Sequence, residues 1–260
     1  MRILLLVLLS CFAVPVSVCA QQFVDVELVI AVDVSGSMSD QEHETQRHGF
    51  LKAFDSPALV KAIASGPRGR IAVTYIEWAG PGLQRVLVPW RVIADKDSAR
   101  AFRDLLSAKP RSPIRGTSIS SALEFSARLF EDNGFSGFRR VIDVSGDGHN
   151  RAGPDLLATR ARVLNKNIII NGLPIMLSPA MQRRHDGYGL DQYFKDCVIG
   201  GPSAFVYPVV KAEELEESIR RKLILEIAGH PVRIQKASKQ LLASGQKVDC
   251  EIGRYDDDDW

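Results

Sequence analysis

Neither sign of charge dominates this sequence, and that excludes one large functional class. It contains 33 lysine and arginine residues against 31 aspartate and glutamate residues, so its formal net charge is +2 at pH 7. Proteins that hold nucleic acids through surface charge are strongly basic, and we therefore expect no nucleic-acid partner. The sequence also lacks internal repeats and low-complexity linkers. Its 45% of hydrophobic residues is enough for one sizeable core.

Cysteine is scarce, and its placement is more informative than its number. Two of the four cysteines, Cys11 and Cys19, lie in the first twenty residues. The other two, Cys197 and Cys250, are far apart in the sequence. In an oxidising compartment the simplest expectation is that they pair. Such a disulfide would tie the C-terminal region to the domain, and the alternative is two free, buried thiols.

The longest apolar stretch lies at the N-terminus. Residues 1–20 combine basic Arg2, an apolar run and small Ala20 before two polar glutamines. This is the pattern of a secretory signal peptide cleaved after Ala20. It predicts a periplasmic or secreted protein with no membrane span once the signal is removed. A retained membrane anchor is the alternative, although Pro15 interrupts the apolar run.

Apolar strand patterns alternate with amphipathic helix patterns between residues 26 and 227. This alternation is typical of an α/β protein with a doubly wound, mostly parallel sheet and helices on both faces. We predict six strands, which start near residues 26, 70, 84, 140, 167 and 205. The third is predicted to be an antiparallel edge strand, because only a short turn separates it from the second.

The first helix is predicted to begin after the capping residue Ser39 and to run to about Ala64, where Ser-Gly-Pro follows. The predicted domain spans residues 21–228. A polar C-terminal tail is predicted over residues 229–260.

Small oxygen-bearing side chains follow the first predicted strand. Asp33, Ser35 and Ser37 occupy alternate positions there, Thr117 opens a later helix, and Asp147 follows the fourth strand. The carboxyl ends of parallel strands meet at one edge of a sheet, so these five side chains are expected to converge. Carboxylates and hydroxyls are hard ligands that suit Mg²⁺, Mn²⁺ or Ca²⁺ and argue against zinc and copper. Because hydroxyls add no charge, a bound ion would retain affinity for an outside acidic ligand.

At these residues the chain resembles the von Willebrand factor A domain family. The metal-ion-dependent adhesion site of that family uses a D-x-S-x-S motif, a distant Thr and a later Asp-Gly. Here the first motif is Asp33-Val34-Ser35-Gly36-Ser37, the threonine matches Thr117 in RGTSIS, and the last aspartate matches Asp147 in SGDG. The resemblance covers residues 24–227. One departure is Gly146, which stands where family members usually carry Thr or Ser.

The resemblance implies a role for each of these residues. Ser35 and Ser37 would bind the ion directly, as the threonine that matches Thr117 does in some states of the family's site, while Asp33 and Asp147 would act directly or through water. A Glu or Asp of a protein partner would then complete the coordination. A narrower resemblance, carried by VIDVSGDGHN and VIGGPSAFVYPV, is to uncharacterised bacterial A-domain proteins, and it supplies no function.

Three residues near the predicted site are candidates for contact with the partner. His149 and Asn150 follow Asp147, and Arg115 lies in the loop before Thr117. The simpler interpretation is that they are structural residues and a solvated loop charge. Asp143 stands inside the fourth predicted strand, where a buried carboxylate needs a partner, so we expect it to be paired.

Three functions are compatible with such a site. The favoured one is a metal-dependent protein-binding module without enzymatic activity. A phosphoesterase would need a second carboxylate where Ser35 stands, and a serine hydrolase would need a positioned histidine and the G-x-S-x-G motif, which is missing. The third is an envelope component in which the metal only stabilises the fold.

Overall fold

A five-stranded sheet forms the centre of the molecule. The computed structural model describes residues 21–110, 115–177, 189–229 and 248–252. The strands are β1 Gln22–Asp33, β2 Ile71–Trp78, β3 Gln84–Ile93, β4 Phe135–Gly146 and β5 Ile168–Pro174. Their spatial order is β3-β2-β1-β4-β5, and neighbours are parallel except for β2 and β3, which are antiparallel. The predicted α/β class and the antiparallel edge strand are confirmed.

Helices cover both faces of the sheet. They are α1 Asp40–Phe54, α2 Pro57–Ala64, α3 Lys96–Ser107, α4 Ile119–Arg128, α5 Leu156–Asn165, α6 Leu190–Tyr193 and α7 Leu215–Ala228. Helix α6 continues as a π-helical turn over Phe194–Val198. Helices α1, α2, α3 and α7 bury their apolar residues on one face, and α4, α5 and α6 bury theirs on the other.

The central strand β1 is buried on both sides, which explains its unbroken apolar run. Leu28 and Ile30 enter the core layer under α1 and α7, whereas Val29 and Ala31 enter the layer under α4. A strand that faces helices on both sides gains from apolar residues at every position. This arrangement brings the C-terminal end of β1 to the middle of one edge of the sheet.

The predicted sixth strand is wrong as a regular strand. Residues 205–210 lie along β5, but their pairing is limited to isolated bridges, from Val206 to Gly172 of β5 and from Val209 to Ile175 just after it. The Tyr207 N–H donates to the Gly172 carbonyl at 2.9 Å, and the Val209 N–H donates to the Pro174 carbonyl at 3.0 Å. Pro174 has no N–H to donate in return, so the ladder is interrupted between these two bonds.

The predicted helix from Ser39 to Ala64 is also wrong in its length. The chain forms α1 and α2 instead, and Pro57 is the first residue of α2. A proline lacks the N–H that a continuous helix needs and clashes with the preceding turn. Ser56 accordingly adopts an extended conformation, and its side chain accepts a hydrogen bond from the Ala58 N–H at 3.3 Å.

Both predicted terminal segments lie largely outside the described residues. This applies to the signal peptide over 1–20 and to the tail over 229–260, of which Gly229 and residues 248–252 are described. Within the described part of the chain, none of the helices has the length and hydrophobicity that a bilayer crossing requires.

Candidate metal centre

The ends of β1 and β4 bring two acidic loops together. The two strands are parallel neighbours, and Val32 pairs with Ser145 in their register. Asp33 and Asp147 therefore follow at nearly the same level of the sheet edge. The Ser37 hydroxyl donates a hydrogen bond to Asp147 Oδ1 at 2.6 Å, although 110 residues separate them in the sequence.

The loop after β1 folds around Asp33. The Ser35 N–H donates to Asp33 Oδ1 at 2.7 Å, and the hydroxyls of Ser35 and Ser37 are 3.0 Å apart. The loop ends where Ser39 and Glu42 form a capping box that starts α1. This early start of the helix is what keeps the loop short and its oxygens close together.

Thr117 lies on the other side of the site, immediately before α4. Its neighbour Ser118 caps that helix by accepting a hydrogen bond from the Ser121 N–H at 3.2 Å. Thr117 is buried, and its carbonyl accepts from the Arg151 N–H at 3.0 Å. A Cβ added at Gly148 would lie 3.7 Å from Thr117 Cγ2. The structure therefore places Thr117 beside residues 147–155, which we call the Asp147 loop.

Two carboxylate oxygens at this edge are buried without a hydrogen-bond partner, namely Asp33 Oδ2 and Asp147 Oδ2. Burial raises the pKa of Asp33 to about 8, with the negative charge of Asp147 as the next cause. Burial also raises the pKa of Asp147 above its usual value. Buried carboxylates of this kind are stabilised by a cation, so the residues present fit a hard divalent ion.

The donor set is rich in hydroxyls rather than in the usual metal-binding side chains. Within the described residues there is no group of three or more His, Cys, Asp and Glu side chains that could hold a metal ion. A candidate site at this edge therefore depends on Ser35, Ser37 and Thr117 together with the two carboxylates.

The departure at Gly146 has a structural explanation. A Cβ added there would lie 2.9 Å from Asp33 Oδ2 and 3.2 Å from Trp78 Cζ2. Trp78 is fully buried at the end of β2 and pairs with Asp33 in the register. The indole occupies the space that a threonine or serine side chain would need. Sequence reasoning missed this role, although Trp78 and Asp33 are the last residues of the neighbouring strands β2 and β1.

The three candidate partner-contact residues are placed differently from one another. His149 and Asn150 are each 1% exposed, so burial keeps both away from the surface that a partner would touch. Asn150 Oδ1 accepts hydrogen bonds from the Ser120 N–H at 2.9 Å and the Ser120 hydroxyl at 3.1 Å. Arg115 is exposed in the loop that precedes Thr117.

A histidine that sequence reasoning assigned no role also touches the cluster. His43 Nε2 lies 3.0 Å from the backbone carbonyl of Ser35. His43 is buried in the first turns of α1. The contact supports the loop backbone and leaves the Ser35 hydroxyl facing that of Ser37.

The predicted disulfide is confirmed, since the structure joins Cys197 to Cys250. Cys197 is fully buried in the π-helical turn after α6. The bond fastens residues 248–252 to the helical layer that contains α4 and α5.

The family described as "Protein of unknown function (DUF1194)" matches residues 23–231. The chain belongs to the DUF1194 family. No curated protein matches this DUF1194 chain.

Solved structures show that this DUF1194 chain has the von Willebrand factor A fold. Proximal thread matrix protein 1 from the mussel byssus, "with zinc occupied MIDAS motif", matches with a TM-score of 0.57 at 13% identity over 80% of this chain and 49% of its own. The pilus adhesin SpaC of Lactobacillus rhamnosus GG matches with a TM-score of 0.55 at 14% identity, over 80% and 31%. The von Willebrand factor type A protein from Catenulispora acidiphila gives a TM-score of 0.54 at 16% identity, over 78% and 43%. The chain thus spans less than half of each of these proteins.

Proposed function

We propose that this chain is a divalent-metal-dependent protein-binding module of the adhesion type. Asp33, Ser35, Ser37, Thr117 and Asp147 would hold the ion, and a carboxylate of a protein partner would complete its coordination. The observation that carries the proposal is the pair of buried, unpartnered oxygens Asp33 Oδ2 and Asp147 Oδ2.

The residues of this chain would have different roles in such a site. A bound divalent ion supplies an electron-poor position that accepts a carboxylate oxygen from outside. Asp33 and Asp147 would balance the charge of that ion. The neutral hydroxyls would add no negative charge, so the ion would keep its affinity for a further carboxylate. Gly36 and Ser37 are exposed, so the loop after β1 gives a partner access. Exposed Arg115 would attract an acidic side chain towards this edge.

Two structural neighbours support this assignment. One is a byssus matrix protein whose adhesion motif holds zinc, and another is a pilus adhesin. For this chain we propose Mg²⁺ as the ion, with Mn²⁺ or Ca²⁺ as alternatives, because the donors are oxygens only. The zinc in the neighbour shows that a motif of this type admits softer ions, so zinc belongs in any test.

We propose no enzymatic activity. A serine hydrolase needs a histidine on the serine hydroxyl, whereas His43 contacts the Ser35 backbone carbonyl. A phosphoesterase of the kind considered would need a second carboxylate at Ser35. We further propose that the protein is periplasmic or secreted after removal of residues 1–20, and that it acts without nucleic acid.

The first experiment measures metal binding by thermal unfolding. Wild-type protein freed of metal with EDTA is titrated with Mg²⁺, Mn²⁺, Ca²⁺ and Zn²⁺. An ion at 100 times its dissociation constant is expected to add about 2.7 kcal/mol of stability. Asp33→Asn and Asp147→Asn should abolish the gain. Asp40→Asn, which removes an exposed carboxylate in the first turn of α1, should keep it.

The second experiment tests the partner chemistry. Immobilised peptides that present Glu or Asp are compared with the same peptides carrying Gln or Asn, in Mg²⁺ and in EDTA. Retention should require both the carboxylate and the metal, and Asp33→Asn should lose it. Metal binding without any carboxylate-dependent capture would instead support a purely stabilising ion.

A further inference from the structure

Tyr193 connects the Asp147 loop to the C-terminal segment of the chain. It is the last residue of α6 and is fully buried. Its hydroxyl accepts a hydrogen bond from the Asn150 N–H at 3.2 Å and donates one to the Cys250 carbonyl at 3.2 Å. Its ring packs against that of His149 in an edge-on contact, with centroids 4.2 Å apart. One side chain therefore touches both segments.

The C-terminal segment, residues 248–252, is itself firmly attached. The disulfide fixes Cys250 to Cys197, which lies one turn after Tyr193. Val248 is 5% exposed and belongs to the core layer beneath α4 and α5, and Ile252 packs against the same layer. The segment is thus held at three places and gives the Tyr193 hydroxyl a fixed acceptor.

The Asp147 loop depends on contacts of this kind for its shape. Glycines flank Asp147 on both sides, and the space beside Gly146 is filled by Trp78. The loop has no regular secondary structure before α5. Asn150 is held on one side by Ser120 of α4 and on the other by Tyr193. Asp147 is only three residues away from this doubly held position.

We propose that Tyr193 and the Cys197–Cys250 disulfide are positioning residues for the metal site. They hold the Asp147 loop at the distance from Ser37 that metal binding requires. The inference rests on the proposed function, because it concerns the same site. Reduction of the bridge by a dithiol, which is itself oxidised to a disulfide while two protein thiols form, should therefore weaken metal binding.

The test measures the Mg²⁺ dissociation constant by isothermal titration at a temperature well below unfolding. Tyr193→Phe keeps the ring and removes only the hydroxyl. We expect Mg²⁺ binding to weaken about tenfold, which is the lower end of what residues that orient metal ligands contribute. Tyr75→Phe is the matched control, because Tyr75 is equally buried but lies in the core layer on the opposite face of the sheet.

A second variant addresses the bridge itself. The Cys197→Ser/Cys250→Ser double variant, and wild type treated with dithiothreitol, should both bind Mg²⁺ more weakly than the oxidised protein. The melting temperature in EDTA is recorded in parallel. A lower melting temperature with an unchanged dissociation constant would indicate a purely structural role and would overturn the proposal. If the double variant does not fold, the Mg²⁺ dissociation constant of Tyr193→Phe decides the question alone.

The outcome also separates this inference from the proposed function. If wild-type protein binds Mg²⁺ and Asp33→Asn does not, while Tyr193→Phe matches wild type, only the positioning role fails. If wild-type protein binds none of Mg²⁺, Mn²⁺, Ca²⁺ and Zn²⁺, the proposed function fails and the positioning role fails with it.

Discussion

Lys222 of helix α7 and Asp143 of strand β4 form an ion pair in which both residues are buried. Lys222 is 0% exposed and Asp143 is 2% exposed. The Lys222 ammonium also donates to Glu226 Oε1 at 2.5 Å. The paired state expected for Asp143 from the sequence is thereby confirmed. The pair attaches the middle of α7 to strand β4.

Lys222→Met should be strongly destabilising. It keeps an unbranched side chain but leaves two buried carboxyl groups without their cation, a change that costs about 3–5 kcal/mol in comparable pairs. Denaturant unfolding measures this loss in the free energy of unfolding. Arg221→Met on the same helix is the control, because the Arg221 side chain is 63% exposed and exposed substitutions stay within about 0.5 kcal/mol. Equal effects of the two changes would contradict a structural role for the pair.

Glu226→Gln should change how stability depends on pH. Burial, followed by the charge of Asp143, raises the pKa of Glu226 from 4.5 to about 8. The folded protein therefore keeps a proton that the unfolded chain has already released, and wild-type stability falls as the pH rises between these two values. Lys222 remains the neighbouring cation, and Arg139 donates to the Glu226 carbonyl.

Glutamine does not ionise, so the variant should lose less stability across this window. Denaturant unfolding of both proteins at pH 5 and pH 8 measures the difference. The free energy of unfolding of Glu226→Gln, relative to that of wild type, should be higher at pH 8 than at pH 5. A stability difference that is the same at both pH values would show that Glu226 does not titrate there.

Ser37→Ala should weaken Mg²⁺ binding without unfolding the protein. It removes the hydroxyl that contacts Asp147 Oδ1, and a loss of about tenfold in affinity corresponds to about 1.4 kcal/mol. Ser39→Ala provides the comparison, since it removes the cap of α1 and costs about 1 kcal/mol of stability. Calorimetric titration should show lower affinity for the first variant and normal affinity for the second.

Gly146→Thr restores the residue type usual in the resembled family and should nevertheless destabilise this chain. Its side chain would meet Trp78 and Asp33, and overpacking of this kind costs about 1–3 kcal/mol. Adding Trp78→Leu should recover part of the loss by making room. Gly36→Ala is the control, because a Cβ there meets no atom within 4 Å. Thermal unfolding of the four proteins would show whether the indole sets the restriction.

The sequence was most informative where a feature depends on neighbouring residues along the chain. The motif at Asp33, Ser35 and Ser37, and the apolar run before it, predicted the first strand and the edge of the sheet at which the oxygens meet. The register of parallel strands then brought Asp147 to the same edge. The break at Pro57 was also visible in the sequence, since proline cannot continue a helix.

Features that depend on distant pairs were not predictable in this way. Nothing around Lys222 in a charged helix distinguishes it from exposed Arg221, and only the packing of α7 on β4 identifies it as the partner of Asp143. The role of Trp78 beside Gly146 can be recognised only when the pairing of β2 with β1 is known. The interruption of the sixth strand could not be predicted either, because it depends on Pro174 lying opposite residues 205–210 in the fold.

The disulfide also determines how the chain would respond to mechanical tension. Cys197 and Cys250 close a loop of sequence separation 53, and helix α7 lies inside it. A pulling force applied to the chain beyond Cys250 passes through the sulfur bridge directly to the turn after α6. Helix α7 is outside this line of tension and would keep its attachment to the sheet while the bridge carries the load.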